Sequence, residues 1–235
     1  MTRETDAVRD RYARRATLYD VQRYSLLRAA NWQTVQERQR AMLRLFAAEG
    51  LVELQNVRLA EVGAGTGGNL LELLRAGFEP ENLIGVELLE ERAELARRRL
   101  PATLRFEAGD ATALSIEPAS LDVVFQSVVF SSILDPAFQQ RLAQTMWAWL
   151  KPGGAVLWYD FTYDNPSNPD VRGVPLARVR ELFPKGSIRA QRITLAPPIA
   201  RRVATVHPSL YTLFNILPLL RTHLLVWVGK PLGPI

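Results

Sequence analysis

The 235-residue chain contains no cysteine and only two histidines, His207 and His223. Disulfides and thiolate metal sites are therefore excluded, which accords with a reducing cytoplasm. No His/Asp/Glu cluster has ligand spacing, so no metal centre is expected. The apolar runs are broken well short of the roughly 20 residues that span a bilayer. The N-terminus, MTRETDAVRDRYARR, is charged throughout and has no apolar stretch, so no secretory leader is expected and the localisation read from the chain is cytoplasmic. Internal repeats and low-complexity tracts are absent. Acidic residues are scarce in the last quarter: residues 171–235 carry ten Lys/Arg and one Asp/Glu, whereas residues 41–170 carry ten and eighteen and residues 1–40 nine and five. Two basic ends thus flank an acidic middle. The ends are either solvated helix faces or a surface for an anionic substrate, lipid headgroups or nucleic acid.

With 48% hydrophobic and 23% charged residues, the composition is that of a globular protein large enough for one sizeable core. Residues 5–48 read as helical, with no Pro or Gly before Gly50. Short Val/Ile/Leu-rich runs follow (VRLAEVG, NLIGVEL, TLRFEAGD, LDVVFQSVVF and AVLWYDF), separated by helix-like stretches, a rhythm that predicts a parallel sheet. One such helix is DPAFQQRLAQTMWAWL, with Asp135 as N-cap, Pro136 at its first position and KPGG stopping it. TYDNPSNPDVRGVP reads as a loop, PLARVRELF as a helix and SIRAQRITL as a strand. Residues 196–221 resemble an insertion with a short apolar helix, and THLLVWVGK closes the chain as a strand paired with the one before it. The fold class expected is α/β: a doubly wound seven-stranded sheet, mostly parallel with an antiparallel last strand and helices on both faces. Residues 1–50 form a helical lid segment in this reading, residues 51–235 the main domain, and residues 196–221 a second cover.

The stretch EVGAGTGGNL, Glu61 to Leu70, fits two templates. Gly63, Gly65 and Gly68 spell the GxGxxG of a dinucleotide turn; Gly63, Gly65 and Gly67 spell GxGxG, preceded by an acidic residue. Either way, the glycines let the backbone pass close beneath a ligand at a helix start. Glu87, at the end of the second strand, can accept from both ribose hydroxyls and suits either cofactor. Asp110, ending the third strand, can accept from an adenine amino group or cap a turn.

The ordered set AEVGAGTGGN, GVEL, EAGDA, DVVFQS and LKPGGAVLWYD resembles the class I S-adenosylmethionine-dependent methyltransferases over roughly residues 57–160. The resemblance implies S-adenosylmethionine as cofactor, with Glu61 orienting its methionyl amino group and Gly63, Gly65 and Gly67 lining it. It places Glu87 and Leu88 at the ribose, Asp110 and Ala111 at the adenine, and Gln126 at the methionine end. It also implies the closing antiparallel strand.

In such chemistry a nucleophile displaces the methyl group from a sulfonium in line, and an alcohol acceptor must also lose a proton. Asp160 and His207 are the base candidates; His223 is expected to bond backbone, and Tyr159 and Tyr163 to pack. Strand four ends in FQSVVFSS rather than Asn/Asp-Pro-Pro-aromatic, which disfavours a nucleic-acid acceptor. WYDFTYDNPSNPDVRGV and LPLLRTHLLVWVGKP resemble segments of methyltransferases of bacterial surface-polysaccharide biosynthesis, implying a sugar or lipid-linked saccharide acceptor; the activity expected is O-methylation of a small molecule or saccharide. LYTLFNILPLL between arginines reads as an apolar lid or as a peripheral membrane contact. In the N-terminal helix, Tyr12 and Arg15 share a face, with Arg15 set to pair with the methionyl carboxylate. Two other readings stand beside this one. A nicotinamide-dependent oxidoreductase lacks its Tyr-x-x-x-Lys pair here, and a silent nucleotide- or membrane-binding module is permitted by the basic ends.

Overall fold

A computed structural model describes residues 3–18, 25–166 and 168–233, with the side chains of Arg3 and of residues 15–18 outside that description. The sheet has seven strands: β1 (Leu59–Val62), β2 (Leu83–Glu87), β3 (Arg105–Ala108), β4 (Leu121–Ser127), β5 (Leu150–Phe161), β6 (Ser187–Leu195) and β7 (Arg221–Gly229). Their spatial order is β3-β2-β1-β4-β5-β7-β6. β1 to β5 run parallel, and β7 is antiparallel to both of its neighbours, β5 and β6. The expected seven-stranded sheet with an antiparallel closing strand is the observed one. The strand order reverses between β1 and β4, and at such a switch the crossovers diverge and open a crevice at the carboxyl ends of the strands.

Both sheet faces are covered, which explains why β1 and β2 are buried along their whole lengths. Alternation along β5 divides its side chains: Val156 and Trp158 enter one core, while Ala155, Leu157 and Tyr159 enter the other. Between the parallel strands lie α3 (Gly68–Ala76), α4 (Glu90–Arg99) and α5 (Pro136–Trp149). α3 is bounded by Gly67 and Gly77, both left-handed, a conformation glycine enters without steric cost. α5 starts as its sequence dictates, with Asp135 Oδ1 accepting from the Ala137 N–H at 2.8 Å and Pro136 at the first position. KPGG does not merely precede the next strand: β5 begins at Leu150, and the Leu121/Val123 register against it shifts to accommodate the extra residues.

The N-terminal region divides into α1 (Arg3–Leu18) and α2 (Ala29–Ala48), the latter preceded by a turn over residues 25–28, rather than forming one run of helix. α1 lies at the carboxyl edge of the sheet. The Arg11 guanidinium pairs with Glu4 and donates to the Ser132 carbonyl at 3.1 Å, and the Glu4 carboxylate accepts from the Leu134 N–H at 2.9 Å. After α6 (Leu176–Leu182) and β6, the expected insertion holds two short helices, α7 (Pro197–Val206) and α8 (Pro208–Asn215). These pack on α2 around Ala30, Leu195, Ala200, Ala204 and Tyr211, a third small core. Among the described residues, no helix is long and apolar enough to cross a membrane. Replacing the α5 cap, Asp135→Ala, is expected to lower stability by about 1 kcal/mol in urea unfolding without altering the m-value.

Candidate active site

The crevice at the β1/β4 switch is an open cleft whose walls include Val62, Gly63, Glu87, Asp110, Ser127 and, from α1, Tyr12. Three glycines make its floor possible: Gly63, Gly65 and Gly67 all have φ between +57° and +82°. A Cβ on Gly63 would meet Val129 Cγ2 at 2.4 Å, whereas one on Gly65 would point into open space. The turn is thus closed by packing at Gly63 and left open at Gly65, where a ligand can approach the backbone. Glu87 stiffens the turn: its two oxygens accept from the Gly65 N–H at 2.8 Å and the Leu89 N–H at 2.9 Å. Leu88, Asp110 and Ala111 line the same cleft. Asp110 Oδ1 accepts from the backbone and hydroxyl of Thr112, fixing the carboxyl group at the rim.

Glu61, next to last in β1, has no exposed surface. Its Oε1 accepts from Asn69 Nδ2 at 2.5 Å, while Oε2 has no partner. Burial pushes its carboxyl up to about 8 from an ordinary 4.5, although the Asn69 bond and the Arg38 charge oppose the rise. Arg38 Nη2 donates to Asn69 Oδ1 at 2.6 Å and to Glu72 at 3.1 Å, so guanidinium, amide and carboxylate form one relay. Arg38 also lies 5.4 Å from the Tyr159 ring centre.

The other residues singled out from the sequence fall in different places. Tyr12 lines the cleft beneath the Arg92 guanidinium, 4.4 Å from its ring centre. The side chain of Arg15 lies outside the described residues. Gln126 is fully buried and braces the chain instead of facing the cleft: its Oε1 accepts from the Val129 N–H at 3.1 Å and its amide donates to the Tyr159 carbonyl at 3.4 Å. Ser127 and Val128 take the rim position, with Val128 held at φ 60°, a strained backbone for a β-branched residue. Asp160 is also fully buried, its carboxylate accepting from the Ser131 and Phe161 N–H groups at 3.1 and 3.0 Å. It anchors the loop after β4 and is not in the cleft wall. His207 is exposed and caps α8, its Nδ1 accepting from the Ser209 N–H at 3.2 Å. The catalytic roles expected of Asp160 and His207 therefore have no geometric support.

A second polar cluster, which sequence reading missed, sits where α2 meets the ends of β5, β6 and β7. The Glu37 carboxylate accepts from the Thr194 N–H at 2.9 Å, Tyr211 Oη at 2.6 Å and Asn215 Nδ2 at 2.6 Å. Thr194 and Tyr159 share a hydrogen bond of 2.8 Å, and Tyr159 stacks on His223 with ring centres 4.9 Å apart. Burial, aided by the Arg38 charge, pulls His223 down to about 4, so this imidazole is neutral at physiological pH. Only a polar Glu-Arg pair within an otherwise amphipathic α2 could have signalled this cluster.

Residues 59–154 match a protein family described as a methyltransferase domain. The demethylmenaquinone methyltransferase of Deinococcus radiodurans is 34% identical over 125 residues, 52% of this chain and 50% of that protein. Among solved structures, an S-adenosylmethionine-dependent methyltransferase from Mesorhizobium loti aligns with a TM-score of 0.59 at 18% identity, covering 81% of this chain and 98% of that one. Phosphoethanolamine N-methyltransferase 2 of Haemonchus contortus, in complex with S-adenosyl-L-methionine, aligns at 0.60 and 19% identity, covering 83% of this chain and 52% of that one. At such identities the solved structures establish the fold. The chain spans half the length or less of the curated relatives it matches. The chain thus shares the fold of these S-adenosylmethionine-dependent methyltransferases, and its residues 59–154 are similar to a methyltransferase domain.

The buried carboxyl of Glu61 makes stability depend on pH. Its folded value lies above its unfolded one, so native protein holds a proton that unfolded chain has lost, and stability falls as pH rises from about 4.5 through about 8. Asp160, pushed up to about 7 by burial, acts in the same sense. Glu61→Gln is expected to have a higher melting temperature than the parent at pH 8.5 and a smaller difference at pH 5, measured by calorimetry without cofactor.

Proposed function

We propose that the protein transfers the methyl group of S-adenosylmethionine to a hydroxyl of a small acceptor, with a saccharide, free or lipid-linked, as the class the sequence resemblance suggests. The observation that carries the cofactor assignment is the fully buried Glu61 carboxyl with one unpartnered oxygen, beside a glycine turn opening on two further carboxylates. Glu61 Oε2 takes the methionyl ammonium. Arg38, already joined to Glu61 through Asn69, takes the methionyl carboxylate, the role the sequence assigned to Arg15. Glu87 takes the ribose hydroxyls, since each of its oxygens accepts one N–H and keeps a lone pair. Asp110 and Ala111 take the adenine, and Gly63, Gly65 and Gly67 let the cofactor lie against the backbone.

The sulfonium supplies the reactivity, so the protein has to align it with the acceptor and exclude water. α1 acts as the lid, bringing Val8 and Tyr12 over the cleft, whereas α7 and α8 pack on α2 away from the cleft lining. Neither Asp160 nor His207 reaches the cleft, so acceleration rests on alignment and not on a base drawn from those two. Turnover is to be sought with labelled donor against free sugars, lipid-linked saccharides and demethylmenaquinone, the compound in the name of the Deinococcus radiodurans relative. Arg38→Gln and Glu61→Gln should each weaken S-adenosylhomocysteine binding by about tenfold or more, the scale of a charge-assisted hydrogen bond, with native circular dichroism. Parent affinity in both variants removes this cofactor orientation, and binding of NADH in place of S-adenosylhomocysteine returns the glycine turn to a dinucleotide.

A further inference from the structure

The appendage built by α7, α8 and the start of α2 has a surface that the cleft does not explain. Among the described residues, fifteen large apolar side chains are exposed, and eight of them cluster in two segments that meet at this appendage. Val206, Leu213, Phe214, Ile216, Leu217 and Leu219 lie on and just after α7 and α8, and Leu26 and Leu27 precede α2. Leu27 and Leu219 are 98% and 89% exposed, values with no folding advantage for leucine. The segments adjoin because Ala30 of α2 packs into the same small core as Ala200, Ala204 and Tyr211.

Charge accompanies this apolar surface, and it has one sign. From Leu182 to Ile235 the chain contains seven Lys/Arg and not one Asp or Glu. Arg201 and Arg202 are exposed on α7, and Arg202 shares a helical face with the exposed Val206 one turn on. The Glu37 carboxylate of the neighbouring α2 is engaged by Thr194, Tyr211 and Asn215. Protruding leucines beside uncompensated arginines match a bilayer interface, where the apolar groups enter the acyl boundary and guanidinium groups meet phosphate. A second copy is a poor match: among the described residues, a two-fold contact on this face would oppose arginines to arginines.

We infer that this face docks on the surface of an anionic phospholipid bilayer, with Leu217, Leu219 and Leu213 inserting and Arg201 and Arg202 reading headgroup charge. The docking surface is one helix layer from the polar cluster at the sheet edge, because Tyr211 and Asn215 of α8 bond Glu37 of α2. It does not depend on which acceptor is methylated.

The test is co-sedimentation of the full chain with vesicles, either pure phosphatidylcholine or phosphatidylcholine with about one third phosphatidylglycerol. Binding is expected to the anionic vesicles and to weaken with salt. The double variant Leu217→Glu and Leu219→Glu, altering exposed positions only, should bind them at least about tenfold less while keeping the parent melting temperature and S-adenosylhomocysteine affinity. Arg201→Gln with Arg202→Gln should reduce the preference for anionic over neutral vesicles. Absence of vesicle binding by the parent, or undiminished binding by the leucine double variant, overturns the inference. So does a concentration-dependent dimer in sedimentation velocity that the leucine variant abolishes while vesicles bind neither protein, which assigns the face to a second copy.

Discussion

A carboxylate with no exposed surface, Glu61 in strand β1 beside the topological switch, is the constraint around which the site is arranged. Burying a charged group costs free energy unless it is paired, and here the pairing is incomplete: Asn69 satisfies one oxygen, and the other faces no donor. The free protein meets that cost by holding the carboxyl protonated at neutral pH, with its value raised to about 8. A cationic ammonium completes the set and removes the reason to stay protonated. In the cofactor orientation we propose, the residue that weakens the unliganded fold is the one that receives the cofactor's positive end.

Much of the surrounding architecture keeps this arrangement in place. Arg38 reaches in from α2 and orients Asn69, so a helix far outside the glycine motif fixes the motif's own acid. Asp160 and Gln126 hold the loop that follows β4, and their bonds to Ser131 and Val129 sustain the strained Val128 at the cleft rim. α1 closes over the other side through Glu4 and Arg11.

The strand rhythm, the antiparallel closure and the α5 cap were legible because each is a local signal, a period or a turn residue. Gly63, Glu87, Asp110 and Ala111 line one crevice because strand ends in a doubly wound sheet converge there, whereas Glu61 lies fully buried in β1 behind it. Side-chain direction was harder to read. Asp160 and Gln126 sit at strand ends too, yet alternation turns them into the protein, where the loop after β4 covers them. His207 precedes proline at a helix start, and capping absorbs it. The Glu37, Tyr211 and Asn215 cluster joins residues more than 170 positions apart, a relation no window along the chain contains. The break between α1 and α2 carries no Pro or Gly to announce it.

The most direct measurement is a crystal structure with S-adenosylhomocysteine bound. The α-ammonium is predicted to lie within hydrogen-bond distance of Glu61 Oε2, the ligand carboxylate beside Arg38, and the adenine between Asp110 and the α1 side of the cleft. An amino-acid end directed away from Glu61, with Oε2 still without a partner in the complex, would contradict the role given to this buried carboxylate.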